Sequence, residues 1–313
     1  NKPLDMSAVV TLPCDMDTAW NFDLRFVIDM ALAGNTDRLA SLQRQVRTMV
    51  QTIRDNLSPL RWRVYATVVA FSDVPQAPYG VPDFDTSYQR VLGRVQLSDT
   101  GMLAMEQAIL GLPSIYKGGD DKNSHLIAMQ QELLTMPTTQ APKTLRMMVL
   151  LTNSEAHDSA VDAGYPGPTA AEVASMMVAR NVVPVVLAGT PASMTAWNQM
   201  IETSFGFGYV ASLGGAAWPS VGVAVPRAVL RTRNSIQLIR DAAGAPFSAT
   251  IRLGTVEQLL PGTTALVPMT LAREQKKRDL DLIFTEVFNV YVAGYGRFPV
   301  RVGLDDRPLP ING

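Results

Sequence analysis

Cysteine is almost absent from this chain: Cys14 stands alone in 313 residues, so no disulfide can close within it. A single cysteine of this kind reads as a small buried residue rather than a reactive thiol. Histidine is nearly as scarce. His125 and His157 are far apart and lack the Cys or His neighbours of a zinc motif, so both are expected in exposed loops. No apolar run approaches the ~20 residues that a membrane-crossing helix needs. With 27 basic and 28 acidic residues there is little net charge, which argues against a nucleic-acid footprint or a polybasic membrane patch. The catalytic signatures are missing as well: there is no Gly-x-Ser-x-Gly elbow, no Walker loop and no dinucleotide fingerprint. The glycines of Ser204-Phe-Gly-Phe-Gly208 read as turn residues. No nucleophile, base and orienting group are legible together, and the chain is read as non-enzymatic. Residues Asn1 to Asp5 do not resemble a signal peptide, but the chain does not begin with Met, so this is weak evidence about compartment.

What is present is the composition of an ordered globular protein, 47% hydrophobic and 18% charged, with enough length for two cores. The organising stretch is Asn21 to Asp37. Phe22, Leu24, Phe26, Val27 and Ile28 make an apolar run of strand length that stops at Asp29, and a Gly-Asn-Thr turn then leads into a helical pattern. Leu39, Leu42, Val46, Met49, Val50, Ile53 and Leu57 fall three or four apart, with Arg38, Arg44, Arg47 and Arg54 between them as the expected solvated face.

Strands are expected at residues 4–12, 61–71, 88–92, 144–151, 182–187 and 209–213, with helices at 99–112, 125–135, 169–180, 193–205 and 219–231. This alternation predicts a doubly wound, mostly parallel α/β sheet. Prolines 75, 78 and 82 make residues 73–85 a structured loop, and Pro226 is expected to kink or start the last helix. Beyond Arg231 the pattern turns to period two, with strands expected at 236–239, 247–253, 263–270, 279–284, 287–292 and 298–302, as in a small β-sandwich. The expected division is an α/β domain at 19–228, a sandwich built from 1–18 and 229–304, and a tail at 305–313.

An aspartate at the end of a buried strand, a polar turn at Lys117 to Ser124, Tyr165-Pro166 ahead of a helix and a β-rich segment after the last helix occur in the order found in the headpiece of integrin beta subunits. The chain resembles that family, a von Willebrand factor A-like βI domain with its hybrid domain. The resemblance implies cell-surface adhesion through a metal-ion-dependent site with Asp-x-Ser-x-Ser at its head. Here that frame reads Asp29-Met30-Ala31-Leu32-Ala33. Carried over residue by residue, the central site would be Asp29, Ala31, Ala33, Asn123 and Ser154, with Asp37 and Asp120 standing for flanking positions. Methyl groups cannot coordinate a hard cation, so no metal is expected; were one held, Asp29 and Glu155 would be its carboxylates. Magnesium and calcium are therefore not expected as cofactors. Read without the resemblance, Asp29 caps the backbone of the following loop.

The expected function is non-enzymatic protein binding by an adhesion or receptor module, outside the cell, with a degenerate metal site. Its rim would comprise Asp29, Ala31, Ala33, Asp37, Asp120, Asp121, Asn123, Ser154 and Glu155, and its partner would be a protein ligand or a partner subunit. The alternative is a scaffold that keeps the fold for assembly, inside the cell, with no free ligand. The lone cysteine and the single sequon at Asn56-Leu57-Ser58, followed by Pro59, favour that alternative.

Overall fold

A computed structural model describes residues 4–11, 20–31, 37–57, 62–112, 118, 120–138, 144–233, 236–240, 249–253, 255–256, 264–273, 283–292 and 296–305, with the backbone alone for 4–11 and from 236 onward. Cys14, Ala33 and residues 306–313 of the expected tail lie outside this set.

The chain is α/β. β1 (Leu4–Thr11) is followed by β2 (Asn21–Asp29), α1 (Asp37–Leu57), β3 (Arg63–Phe71), β4 (Gln89–Gln96) and α2 (Asp99–Leu110). Next come β5 (Lys122–Asn123), α3 (His125–Leu134), β6 (Thr144–Thr152), β7 (Glu155–Ala156), α4 (Ala170–Arg180), β8 (Val182–Ala188), α5 (Pro191–Met200), β9 (Tyr209–Ser212) and α6 (Val221–Arg233). Six strands form one sheet in the order β4-β3-β2-β6-β8-β9. Every pairing in it is parallel except β3 with β4, so the sheet is mixed.

β2 lies between β3 and β6, and it is buried from Phe22 to Asp29, as a central parallel strand covered on both faces requires. Register follows from that burial: Phe26 faces Val68 on one side and Val149 on the other. Two charges interrupt the run, Asp23 and Arg25, and both are buried. They survive there because Arg25 pairs with Asp23 at 3.0 Å and with Glu132 of α3 at 2.7 Å.

α1 buries Leu39, Leu42, Val46, Met49, Val50, Ile53 and Leu57, the positions given by its period. Arg38 departs from the expected solvated face. It is buried in the first turn, where it balances the charge of Asp29. Helix α4 starts at a capping box made by Thr169 and Glu172, and α5 at the corresponding pair Thr190 and Ser193.

Three elements differ from the pattern-based expectation. The helix expected at 193–205 divides into α5 and a π-helical turn, Ile201–Phe205, which ends on Gly206 at φ 72°. α6 starts at Val221 and carries Pro226 in its second turn, where the missing N–H leaves the Gly222 carbonyl without its usual helical donor. The strands expected at 279–284 and 287–292 are one, β14 (Ile283–Val292), because it pairs without interruption with β15 (Gly296–Asp305).

The remaining strands are β10 (Ile236–Arg240), β11 (Ala249–Leu253), β12 (Thr255–Val256) and β13 (Thr264–Arg273). They form two further sheets, β1-β13-β11 and β12-β10-β14-β15, antiparallel throughout. β1 pairs along its whole length with β13, from Leu4 opposite Leu271 to Thr11 opposite Thr264.

Candidate functional site

β2 ends at Asp29 beside the end of β6 at Thr152, so the strand-end aspartate enters the interior beneath the loops. It is 1% exposed. Its Oδ1 accepts the Ala31 N–H at 3.0 Å and the Asn123 amide at 3.1 Å. Its Oδ2 accepts the hydroxyls of Thr152 and Ser154, each at 2.8 Å. These four donors satisfy a carboxylate. Arg38 lies 3.9 Å away and supplies the balancing charge. Burial pushes the Asp29 carboxyl up, but Arg38, His125 and the two hydroxyls outweigh it, and the group is held below the ordinary range.

His125 completes this knot. Its Nε2 is 2.7 Å from Thr152 Oγ1 and its Nδ1 3.0 Å from the Asn123 carbonyl. Burial pushes the imidazole down to about 4, against the pull of Asp29. The ring packs edge-on against Phe71 and Trp197. Trp197 donates to the Ser154 carbonyl at 3.1 Å, and Trp218 to the Asn153 side chain at 2.6 Å. These residues do not fit a hard divalent cation, which needs lone pairs directed at it. Ala31 offers a methyl group, while Asn123 and Ser154 turn donors toward Asp29.

Above the knot, three loop segments are tied to one another. Asp85 accepts the Val81 N–H at 2.7 Å and reaches across to the Gly118 N–H at 3.0 Å. Ser124 donates through its hydroxyl to Asp73 Oδ1 at 2.7 Å and receives the Tyr165 hydroxyl at 2.9 Å. Lys122 pairs with Asp162 at 2.6 Å. β5 and β7 pair in parallel, placing Lys122 opposite Glu155.

His157 sits at the centre of these ties, buried and stacked on Tyr165 with ring centres 4.5 Å apart. Its Nδ1 is 3.2 Å from Asp162 Oδ2, and its Nε2 is 3.2 Å from Asp120 Oδ1 and 3.8 Å from Asp73 Oδ2. Asp73 is fully buried, and its Oδ2 has no hydrogen-bond partner among the described residues. Burial therefore pushes its carboxyl up to about 7, with Ser124 and the Val74 N–H opposing and the charges of Asp120 and Asp85 adding.

Of the positions singled out in the sequence, the structure brings Asp29, Ala31, Asn123 and Ser154 into one hydrogen-bonded group. Asp37, Asp120, Asp121 and Glu155 are exposed, Asp37 at the start of α1 and the others on the loops. The expectation of exposed histidines fails: both are buried, because each ring has polar partners on both nitrogens. Arg38, Asp73, Thr152 and Asp162 were not legible as site residues. Their signal was position alone: Asp73 and Thr152 lie at or just beyond strand ends on the same rim as Asp29.

A cleft of about 240 Å³ opens next to the rim, lined by Lys122, Glu155, Asp158, Val161, Trp197 and Met200 among others. No helix among the described residues is long and apolar enough to cross a membrane.

No protein-family model matches the sequence, and no curated protein does. Among solved structures, the pilus adhesin SpaC from Lactobacillus rhamnosus GG matches at 13% identity and a TM-score of 0.47, over 96% of this chain and 45% of the adhesin. Its open conformation matches at 12% identity and a TM-score of 0.43, with the same coverage. The chain thus spans less than half the length of those adhesin chains. The resemblance to integrin beta subunits is overturned: no integrin or von Willebrand A family model matches, and the solved structures named here are bacterial pilus adhesins.

Proposed function

We propose that the chain is a non-enzymatic protein-binding module of the adhesion type, displayed outside the cell, that engages its partner through the rim loops at 73–85 and 118–123. One observation carries this reading: the rim is tied across three segments by Asp85 to Gly118, Tyr165 through Ser124 to Asp73, and Lys122 to Asp162. Loops already held in place lose less conformational entropy when a partner docks. Their outer face is acidic, with Asp83, Asp120, Asp121 and Glu155 exposed, and it suits a basic partner surface. Catalysis has no support in the knot below, where Thr152 and Ser154 commit their hydroxyls to Asp29.

Two structural parts belong to the same proposal. The helices are read as wound on both faces of the sheet, supported by α1 packing with α2 and α6 and by α3 packing with α4. The division into 19–228 and a β-rich unit of 1–18 with 229–304 is supported by the pairing of β1 with β13. A scaffold function is the second reading, and the same pairing favours it, since it joins a segment before the α/β sheet to one that follows it in sequence. The experiment is affinity capture from the native source with the wild type, with Asp121→Lys, and with Arg47→Glu on the exposed side of α1. A partner lost with Asp121→Lys and kept with Arg47→Glu supports rim binding. An identical partner set with all three overturns it in favour of the scaffold.

A further inference from the structure

Asp73 presents an unusual arrangement for a buried carboxylate. Its Oδ1 is held by the Ser124 hydroxyl and the Val74 N–H, both at 2.7 Å, and its Oδ2 has no hydrogen-bond partner among the described residues and lies 3.8 Å from His157 Nε2. Asp120 Oδ1 meets the same nitrogen at 3.2 Å. One atom each from Asp73, Asp120 and His157 falls within 4.8 Å of the other two. We propose that His157 Nε2, Asp73 Oδ2 and Asp120 Oδ1 bind a single divalent transition-metal ion of the zinc class.

The spacing suits such an ion. Ligand atoms about 2.0–2.2 Å from a tetrahedral centre stand about 3.3–3.6 Å from one another. The two distances from His157 Nε2, 3.2 and 3.8 Å, bracket that range, and the two carboxylates stand within 4.8 Å of each other, so side-chain rotation closes the site. The far side of the ring is prepared as well. Nδ1 faces Asp162, which fixes the proton on that nitrogen and leaves Nε2 free to ligate. Asp162 is in turn held by Lys122 and by the Asp158 N–H at 3.0 Å. Tyr165 stacks on the ring and Tyr79 packs edge-on, so its plane is set.

The donor set chooses the metal. Imidazole nitrogen favours zinc-class ions, whereas calcium requires six to eight oxygens and magnesium keeps most of its water. The competing account is a metal-free imidazolium bridging Asp120 and Asp162. It explains those two carboxylates but leaves Asp73 Oδ2 buried with no hydrogen bond, and an unsatisfied buried polar atom is costly. Binding balances simply: the ion takes the Nε2 lone pair and a lone pair from each carboxylate, and a proton held by the Asp73 carboxyl before binding passes to solvent. The ion would fasten the loops that carry Asp73, Asp120 and His157 to one another. This inference needs no partner protein and stands apart from the reading above.

The experiment uses the full chain stripped with a chelator and titrated with cobalt(II), then with zinc(II). The expected result is one equivalent of cobalt with the visible absorption of a low-coordinate site, its displacement by zinc, a rise in melting temperature, and no competition from magnesium or calcium. Asp73→Asn and His157→Gln abolish the absorption, and Asp121→Asn retains it. Should either buried variant fail to fold, Asp120→Asn at the exposed ligand carries the same test. Absence of the cobalt spectrum in the wild type, or a spectrum that survives these ligand substitutions, overturns the proposal.

Discussion

The Asn123 side-chain amide donates to Asp29 at 3.1 Å and to Ser154 Oγ at 2.6 Å, so one residue at the head of α3 joins the ends of β2 and β6. The carboxylate at the centre is matched to four donors and one cation. Asp29→Asn removes the charge that balances buried Arg38 and leaves two of the four donors facing an amide N–H₂. The expected cost is about 3–5 kcal/mol in urea unfolding. A loss below about 1 kcal/mol would mean that Arg38 finds another partner.

Because Asp29 already spends both oxygens on protein donors, we expect magnesium and calcium not to bind there. Calorimetric titration with either ion is expected to show no saturable binding. A stoichiometric site that disappears with Asp29→Asn would contradict this account of the knot.

His125 gives the knot a dependence on pH. Its folded pKa is about 4 against an ordinary 6.5. Between those values the unfolded chain takes up a proton that the folded chain refuses. This contribution is therefore fully present above pH 6.5 and is lost as pH falls toward 4, by roughly 3 kcal/mol in total. The measurement is the difference in unfolding free energy between wild type and His125→Gln at pH 7, 5.5 and 4.5. The gap is expected to narrow as pH drops; a constant gap would show that the folded imidazole takes up its proton as readily as the unfolded one.

The strand and helix order was legible because burial imposes its period on sequence: the run from Phe22 to Ile28 and the spacing from Leu39 to Leu57 need no tertiary information. The polar interior was legible only in part. Asp29, Asn123 and Ser154 could be placed at strand ends and turns, whereas Arg38 carries the sequence pattern of a solvated helix arginine and is buried only because the first turn of α1 passes over Asp29. His157 meets Asp120 and Asp73 across 37 and 84 residues of chain, a closeness that sequence spacing alone does not encode. The π-helical turn at Ile201 is invisible for another reason, since inserting a residue into a helix leaves the local apolar pattern nearly unchanged.

Glu132 is a second buried carboxylate with an assigned load. It accepts Arg25 at 2.7 Å, Arg90 at 2.7 Å and the Tyr88 hydroxyl at 2.9 Å, linking α3 to β2 and to the edge strand β4. Glu132→Ala leaves buried Arg25 with Asp23 as its one carboxylate among these contacts and is expected to cost about 3–5 kcal/mol. Glu132→Gln keeps the shape and loses less. Equal losses from the two would place the effect in packing instead of charge.

Gly189 tests the bracing beneath the rim. It follows β8, and a Cβ there would stand 2.0 Å from Asn153 Oδ1 and 2.7 Å from Trp218 Nε1, the two atoms that form the 2.6 Å hydrogen bond between those residues. Neither has room to give: Asn153 also donates to the Ala216 carbonyl at 2.7 Å, and Trp218 is buried. Gly189→Ala is therefore expected to break that bond, shift Ser154 next to Asn153, and loosen its hold on Asp29. The loss should be about 2–4 kcal/mol with a change in tryptophan fluorescence. Gly206→Ala is the comparison. At φ 72° a side chain is strained but meets open space, so only the backbone cost of about 1–2 kcal/mol applies and the fluorescence is retained. If Gly189→Ala proves no worse than Gly206→Ala and leaves the tryptophan signal intact, the Asn153–Trp218 brace does not support the Asp29 knot.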